Sequence, residues 1–238
     1  MLLASLPFVR YVQLMAGSTR PLFQDAQIRG MLLTLGVILS AVTVFRMQNG
    51  TNLELALRET LFNFTSILTG TGYASTDYQL WGTFAVVLVF FVGLIGGCAG
   101  STSCSIKIFR YQLLFASIRA QIRKIHSPNG VFTPKYDGRT VGDDVLNSVM
   151  AFFVAFVVSL GVLATLLAAT GLDMITSLSG AAAALANIGP GLGDQIGPVG
   201  NYANLSDTAK WLLAVAMLVG RLELMAVLAI LTSNFWRA

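Results

Sequence analysis

Two short stretches pose the chemical question: TGTGYAS at 69–75 and NIGPGLG at 187–193. Neither holds a histidine, carboxylate or thiol, so neither suits acid–base or nucleophilic work. Both offer backbone carbonyls in glycine-containing runs. Glycine permits left-handed dihedrals, which turn successive carbonyls to one side. Carbonyls so aligned can replace the water around a dehydrated cation. On this reading Gly70, Thr71, Gly72 and Tyr73 make one ion-facing loop, and Asn187, Ile188, Gly189 and Pro190 make the other. The cation ligands are the backbone carbonyls of Gly70, Thr71, Asn187 and Ile188.

A third stretch, GGCAGSTSCSIKIFR at 96–110, follows the apolar run LWGTFAVVLVFFVGLI at 80–95. A surface turn uses Asn, Asp and Pro, and this stretch has none. Sixteen helical residues cover only ~24 Å, short of the ~30 Å hydrocarbon core. The break therefore falls inside the inner boundary, where irregular backbone is tolerated only against protein or water. The hydroxyls of Ser101, Thr102, Ser103 and Ser105 can satisfy loop amides and carbonyls. Gly96, Gly97, Cys98, Ala99, Gly100, Ser101, Thr102 and Ser103 are thus candidates for a constriction, with Lys107 supporting it; the plain alternative is a cytoplasmic helix–helix turn. Cys98 and Cys104 are the only cysteines and His126 is the only histidine. That is too few ligands for a zinc-type site, so the cysteines read as packed thiols. Arg221 and Glu223 sit in the last apolar stretch and, two apart, need separate partners. Arg221 admits two readings, a donor to the constriction's carbonyls and a strut between helices.

The positioning elements must be membrane helices. The chain is 55% hydrophobic and 11% charged, against about 25% charged in soluble domains. Four apolar stretches approach the ~20 residues a span requires: about 28–44, 80–97, 145–169 and 209–232. The opening MLLASLPFVRYVQLMAG lacks a basic leader and reads as the end of a helix entering from upstream. Seven of the fifteen Lys and Arg fall between Lys107 and Arg139, and Arg10, Arg20 and Arg29 lie near the first span. This positive-inside pattern puts 10–29 and 107–139 in the cytoplasm, with 46–79 and 171–208 outside. Basic residues so placed orient helices, and nucleic acid is excluded as a partner. No histidine–carboxylate pair, phosphate loop or metal spacing supports an enzyme.

Between the spans lie segments too short to cross, 53–75 and 172–193. Each is a short helix ending in one of the glycine loops, and Gly72 and Gly189 stand 117 residues apart. Span, half-helix, loop and span occur twice. The divisions are 1–27, the cytoplasmic end of an upstream helix plus a linker; 28–126, a first repeat with a broken inner helix; 127–142, a cytoplasmic linker; and 143–238, a second repeat. Residues 106–126 form an amphipathic helix, with Ile106, Phe109, Leu113, Leu114, Ile118 and Ile122 on an apolar stripe. Its basic face suits the anionic inner leaflet or a cytosolic partner.

At TGTGYASTDY (69–78), GGCAGSTSCSIKIFR (96–110), ANIGPGLGDQIGPVGNYANLSDTAKWLL (186–213) and GRLELMAVLAIL (220–231) the chain resembles the Trk/Ktr/HKT superfamily of potassium transporters, and most closely its Trk-type integral subunit. The resemblance implies an all-α membrane fold of M1–pore helix–filter–M2 repeats in a bacterial inner membrane. It implies potassium as the transported ion, an intramembrane gate loop, and a cytosolic ring that binds nucleotide. It also implies preference for potassium where the loops keep Gly72 and Gly189. Four repeats make the family's pore, and this chain resembles the third and fourth. Pairing of two chains, pairing with a separate N-terminal half, and a non-conducting assembly module all stay open. Two departures stand out: Gly70 replaces the usual threonine, and Cys104 and Ser105 replace the glycines of the family's STSGGIK.

Overall fold

The computed structural model describes residues 1–222, 224–231 and 236. Asp25 caps the first long helix by accepting from the amide of Gln27 at 2.8 Å. After a short α1 (Phe8–Met15) and α2 (Arg20–Gln24) comes α3 (Ala26–Gln48), then α4 (Leu53–Leu68) and α5 (Thr83–Leu94). Strands β1 (Ile95–Gly96) and β2 (Ile106–Lys107) close the base of the intervening loop as a parallel pair. Helix α6 (Ile108–His126) follows, then a hairpin of β3 (Lys135–Tyr136) and β4 (Arg139–Thr140). The second repeat holds α7 (Asp143–Ala169), α8 (Met174–Ala186), α9 (Asp207–Arg221) and α10 (Leu224–Leu231).

Helices α3 and α7, with 23 and 27 residues, are long and apolar enough to cross a bilayer. Only 28% and 22% of their most apolar windows are buried, so most of each apolar surface faces outward, unlike a soluble core helix. Helices α4 and α8, with 16 and 13 residues, cover ~24 and ~20 Å and stop part-way. Burial explains their position. Residues 179–186 of α8, largely alanine, are all buried, and small side chains let neighbouring backbones approach closely.

The repeats interlock. Met31, Leu35, Phe64 and Val92 of the first share a core with Ile188 and Leu192 of the second. Ile106 of the first packs with Phe152, Phe156, Leu185 and Leu213 of the second.

Four elements differ from the sequence expectation. The inner helix of the first repeat starts at Thr83, because Tyr78–Trp81 form a 3-10 turn and Gly82 adopts φ +104°. The last span is two helices, α9 ending at Arg221 and α10 starting at Leu224; Glu223 and Thr232 lie outside the described residues. The opening segment is not one helix: a 3-10 turn, Leu2–Ser5, precedes α1, with Leu6 and Pro7 extended. Proline pushes its predecessor out of the helical region. The linker 127–142 carries a hairpin whose turn, Asp137–Gly138, has positive φ at both residues, the Asp-Gly signature of a tight hairpin.

Near the C-terminal end of α3, Arg46 pairs with Glu59 of α4 at 2.6 Å. Its guanidinium lies 3.9 Å from the Trp81 ring centroid. The Arg46 side chain is 8% exposed, so losing its partner would strand a buried charge. Glu59→Ala is expected to destabilise by about 3–5 kcal/mol. Arg58, paired with Glu54 across an exposed 3.6 Å gap, should cost under about 1 kcal/mol as Ala. Thermal unfolding of the two variants in detergent checks the contrast.

Candidate functional site

Helix α4 ends in hydrogen bonds that curl the chain into the first loop. The amides of Thr71 and Gly72 both donate to Ser66 O, at 2.9 and 3.3 Å. Gly70 and Gly72 take φ of +70° and +79°. Helix α8 ends on Asn187, left-handed at φ +53°, and Gly189 follows at +110°. The loops meet: a Cβ on Gly72 would lie 2.0 Å from Ile188 O and 3.1 Å from Pro190 Cδ. Gly189 faces open space, so only its dihedral calls for glycine. Tyr73 is 69% exposed.

Side chains distant in sequence hold the loops. Gln79 accepts from the Gly193 amide at 2.6 Å and donates to the Gly193 carbonyl at 3.4 Å, tying the repeats across 114 residues. Ser179 Oγ accepts from Leu192 N and donates to Leu192 O. Asn187 Nδ2 donates to Met217 O at 3.0 Å, and Tyr202 donates to Gly189 O. Among the described residues, the carbonyls of Gly70, Thr71, Asn187 and Ile188 accept no hydrogen bond. At the rim, the N-cap of α8, hydrogen bonds from Thr176 and its amide hold the Asp173 carboxyl below its ordinary range.

The segment 97–105 lies beside these loops: a Cβ on Gly70 would come within 3.7 Å of Ser103 Oγ. Gly96 has no room for a side chain, since a Cβ would sit 2.1 Å from Cys104 O. The Gly97 amide donates to Ser103 Oγ at 2.9 Å, and Ser101 Oγ donates to Cys98 O at 2.6 Å. The opening turn supplies more anchors. Cys98 N donates to Ser5 O and Thr102 N to Ala4 O, while Phe8 N donates to Gly100 O. Ala99 N donates to Gln27 Oε1 at 2.8 Å. Arg221 Nη1 reaches Thr102 O at 2.9 Å and Cys104 Sγ at 3.1 Å. Both cysteines are free thiols. Below the loop opens a cavity of about 250 Å³, lined by Thr102, Cys104, Lys107, Arg110, Phe152 and Arg221 among others.

The structure brings both glycine loops, the hydroxyl-rich segment, Lys107 and Arg221 into one region. Sequence reasoning missed Gln79, Tyr202, Asn187's amide role and the Ala4–Ser5 anchor. These contacts join residues far apart in the chain, and no local pattern marks them.

A family model for cation transport proteins, TrkH, matches residues 22–236. The chain belongs to the TrkH family. It is 46% identical over 237 residues to the Trk system potassium uptake protein TrkI of Halomonas elongata, covering all of this chain and 48% of that protein. It is 32% identical to TrkH of Escherichia coli K12, covering 92% of this chain and 45% of the relative. The crystal structure of the potassium transporter TrkH from Vibrio parahaemolyticus superposes with a TM-score of 0.92 at 31% identity, over 99% of this chain and 51% of that one. The chain thus spans about half the length of the relatives it matches. The family's all-α membrane fold is the fold seen here.

The family context also explains one departure. Ser105 stands at φ +60°, where the family motif has glycine. Its left-handed backbone costs about 1–2 kcal/mol, while its single hydroxyl hydrogen is shared between Gly93 O at 3.0 Å and Ala186 O at 3.2 Å. Ser105→Ala, which keeps the strain and loses both bonds, should destabilise by about 1–3 kcal/mol. Ser105→Gly, which removes the strain, should sit at least ~1 kcal/mol above the alanine variant. Unfolding midpoints in detergent test the order. In the glycine loops, Gly72→Ala combines the wrong dihedral with a backbone clash, so it should lower stability more than Gly189→Ala, by roughly 1–3 kcal/mol.

Proposed function

We propose that the chain supplies half of a potassium-uptake pore in a bacterial inner membrane. The carbonyls of Gly70, Thr71, Asn187 and Ile188 are the ion ligands. The observation that carries this reading is the unpaired state of these four carbonyls, beside backbone groups that side chains do hold. The C-terminal ends of α4 and α8, each worth roughly half a negative charge, favour a cation at the same place. Potassium as the ion comes from the relatives, which are named for potassium uptake.

Two loops cannot surround an ion, and the relatives are about twice this length. The ring is completed by two further half-helix-and-loop units, from a second copy of the chain or from the half of the relatives not matched here. Residues 28–126 and 143–238 are the two repeats contributed, joined by the linker 127–142 and preceded by 1–27. The segment Gly96–Ser103 is the gate below the filter. Arg221 holds it closed through Thr102 O, and Lys107 supports it from β2. A cytosolic nucleotide-binding ring acts on this gate from below, and nucleotide acts only through that ring.

The half-length match supports a second reading, an assembly module that binds the ring or a longer subunit without moving ions. Rubidium uptake into vesicles separates the two. The chain alone should give no uptake, and vesicles that also hold the N-terminal half of the Halomonas elongata relative should take up rubidium. Uptake by verified monomers would overturn the half-pore reading, and no uptake from the combined halves would favour the assembly module. In the combined pore, Arg221→Ala should raise flux per molecule about tenfold, the equivalent of one charge-assisted hydrogen bond of ~1.5 kcal/mol. A mere strut would lower protein yield and leave flux per molecule unchanged.

A further inference from the structure

On the cytoplasmic side a second cavity, about 430 Å³, opens between α6 and the segment leading into β3. Arg119 and Arg123, one turn apart, and Lys135 from β3 carry its polar lining; Ala116, Ala120 and Phe132 add an apolar wall. None of the lining residues is acidic. The three basic residues are exposed, and among the described residues their charged heads have no hydrogen-bond or ion-pair partner.

The depth of this cavity is marked by hydrogen bonds. Gln112 Nε2 donates to Ala26 O at 2.7 Å, and Tyr136 OH donates to Gln112 Oε1 at 3.1 Å. Ala26 is the first residue of α3, a helix of ~34 Å whose basic end is cytoplasmic. Gln112 and Tyr136 therefore sit at the inner edge of the hydrocarbon. Arg119 lies seven residues further along α6, ~10 Å, and with α6 lying along the leaflet, as its amphipathic pattern suits, both arginines and the apolar residues beside them stay at the headgroup–acyl boundary. Beside the arginines runs a stripe of exposed apolar residues at helical spacing: Phe115, Ile118, Ile122 and Ile125, from 44% to 80% exposed. A phosphate needs clustered cations, and an acyl chain needs an apolar strip. The two lie side by side here.

We propose that Arg119, Arg123 and Lys135 form a binding site for the phosphate of an anionic phospholipid headgroup, with the acyl chains along Phe115, Ile118 and Ile122. An acidic face on a protein partner would match the charges and leave the apolar stripe bare, so the lipid is the better fit. The site rests on the reading that α3 spans a membrane.

The test uses the whole chain purified in neutral detergent and offered equal amounts of phosphatidylglycerol and phosphatidylcholine, with bound lipid read by native mass spectrometry. The chain should retain phosphatidylglycerol preferentially. Arg119→Gln/Arg123→Gln/Lys135→Gln should lower its retention at least tenfold, since each basic residue near an anionic surface is worth roughly fivefold. Arg119→Lys/Arg123→Lys should keep most of it, which separates lost charge from lost folding. A control, Arg20→Gln/Lys124→Gln/Arg139→Gln, should lose less than about twofold, because its charges lie outside the pocket and make no direct contact with the bound phosphate. Equal loss in pocket and control variants overturns the site in favour of diffuse charge. So does displacement of the lipid by millimolar inorganic phosphate, which would make free phosphate the ligand. Unchanged lipid retention in the pocket variant overturns it too, and if that variant also stops binding the cytosolic nucleotide-binding protein, the pocket belongs to the partner. Release of the chain from membranes by alkaline carbonate would instead refute the spanning reading, a result independent of the variants.

Discussion

A peptide group in hydrocarbon has no water to bond with, and leaving one unpaired costs several kcal/mol. The rest of this structure follows from that constraint. Three segments leave the helical state within the apolar zone: 70–73, 187–193 and 97–105. The segments 97–105 and 189–193 are largely satisfied by side chains and neighbouring backbone, whereas the carbonyls of Gly70, Thr71, Asn187 and Ile188 accept no hydrogen bond among the described residues. Ser179 serves both polar groups of Leu192, Gln79 serves both of Gly193, and Ser103 serves Gly97. The half-helices stop part-way because their ends have such partners to meet. The alanine-rich stretch of α8 is small because those partners must come close.

Elements governed by local composition were legible in the sequence, and elements governed by distant contacts were not. The long apolar runs of α3 and α7 announce themselves, because a span needs length and little else. The half-helices are legible because glycine follows each one. The early part of 80–95 is equally apolar, yet Tyr78–Trp81 form a 3-10 turn and Gly82 delays the helix; apolar content alone does not distinguish a turn from a helix. The split between α9 and α10 is hidden for the same reason. The hairpin at 135–140 could have been read from Asp137–Gly138, a signal outweighed by the polarity of the linker. At the site, residue types pointed to the glycine loops and the hydroxyl-rich segment. Nothing local pointed to the opening turn, because its bonds to the segment run mostly from backbone to backbone, with the Thr102 hydroxyl on Ala4 O the one from a side chain among those described.

The 97–105 segment is held from two sides by different chemistry. From the first repeat and the opening turn it receives backbone bonds at Cys98, Gly100 and Thr102 and the Gln27 side chain. From the second repeat, among the described residues, Arg221 donates to Thr102 O, and the segment's Ser105 hydroxyl reaches Ala186 O. Arginine suits that position because its planar fork serves several acceptors without losing its charge. The backbone side resists displacement as a set, whereas the second-repeat side depends on two side chains, Arg221 and Ser105.

Helix α9 carries both contacts that matter to the proposed pore. Met217 accepts from Asn187 of the second glycine loop, and Arg221 donates to Thr102 of the hydroxyl-rich segment. They are four residues apart, one turn of the same rigid rod. Gly220 lets that turn sit tight against the end of α8, since a Cβ there would lie 2.1 Å from Leu185 O. In the proposed pore, ion discrimination and opening are therefore not separable traits. A change that shifts this turn alters both together, so substitutions at Asn187 and Arg221 belong to one epistatic unit whose effects do not add.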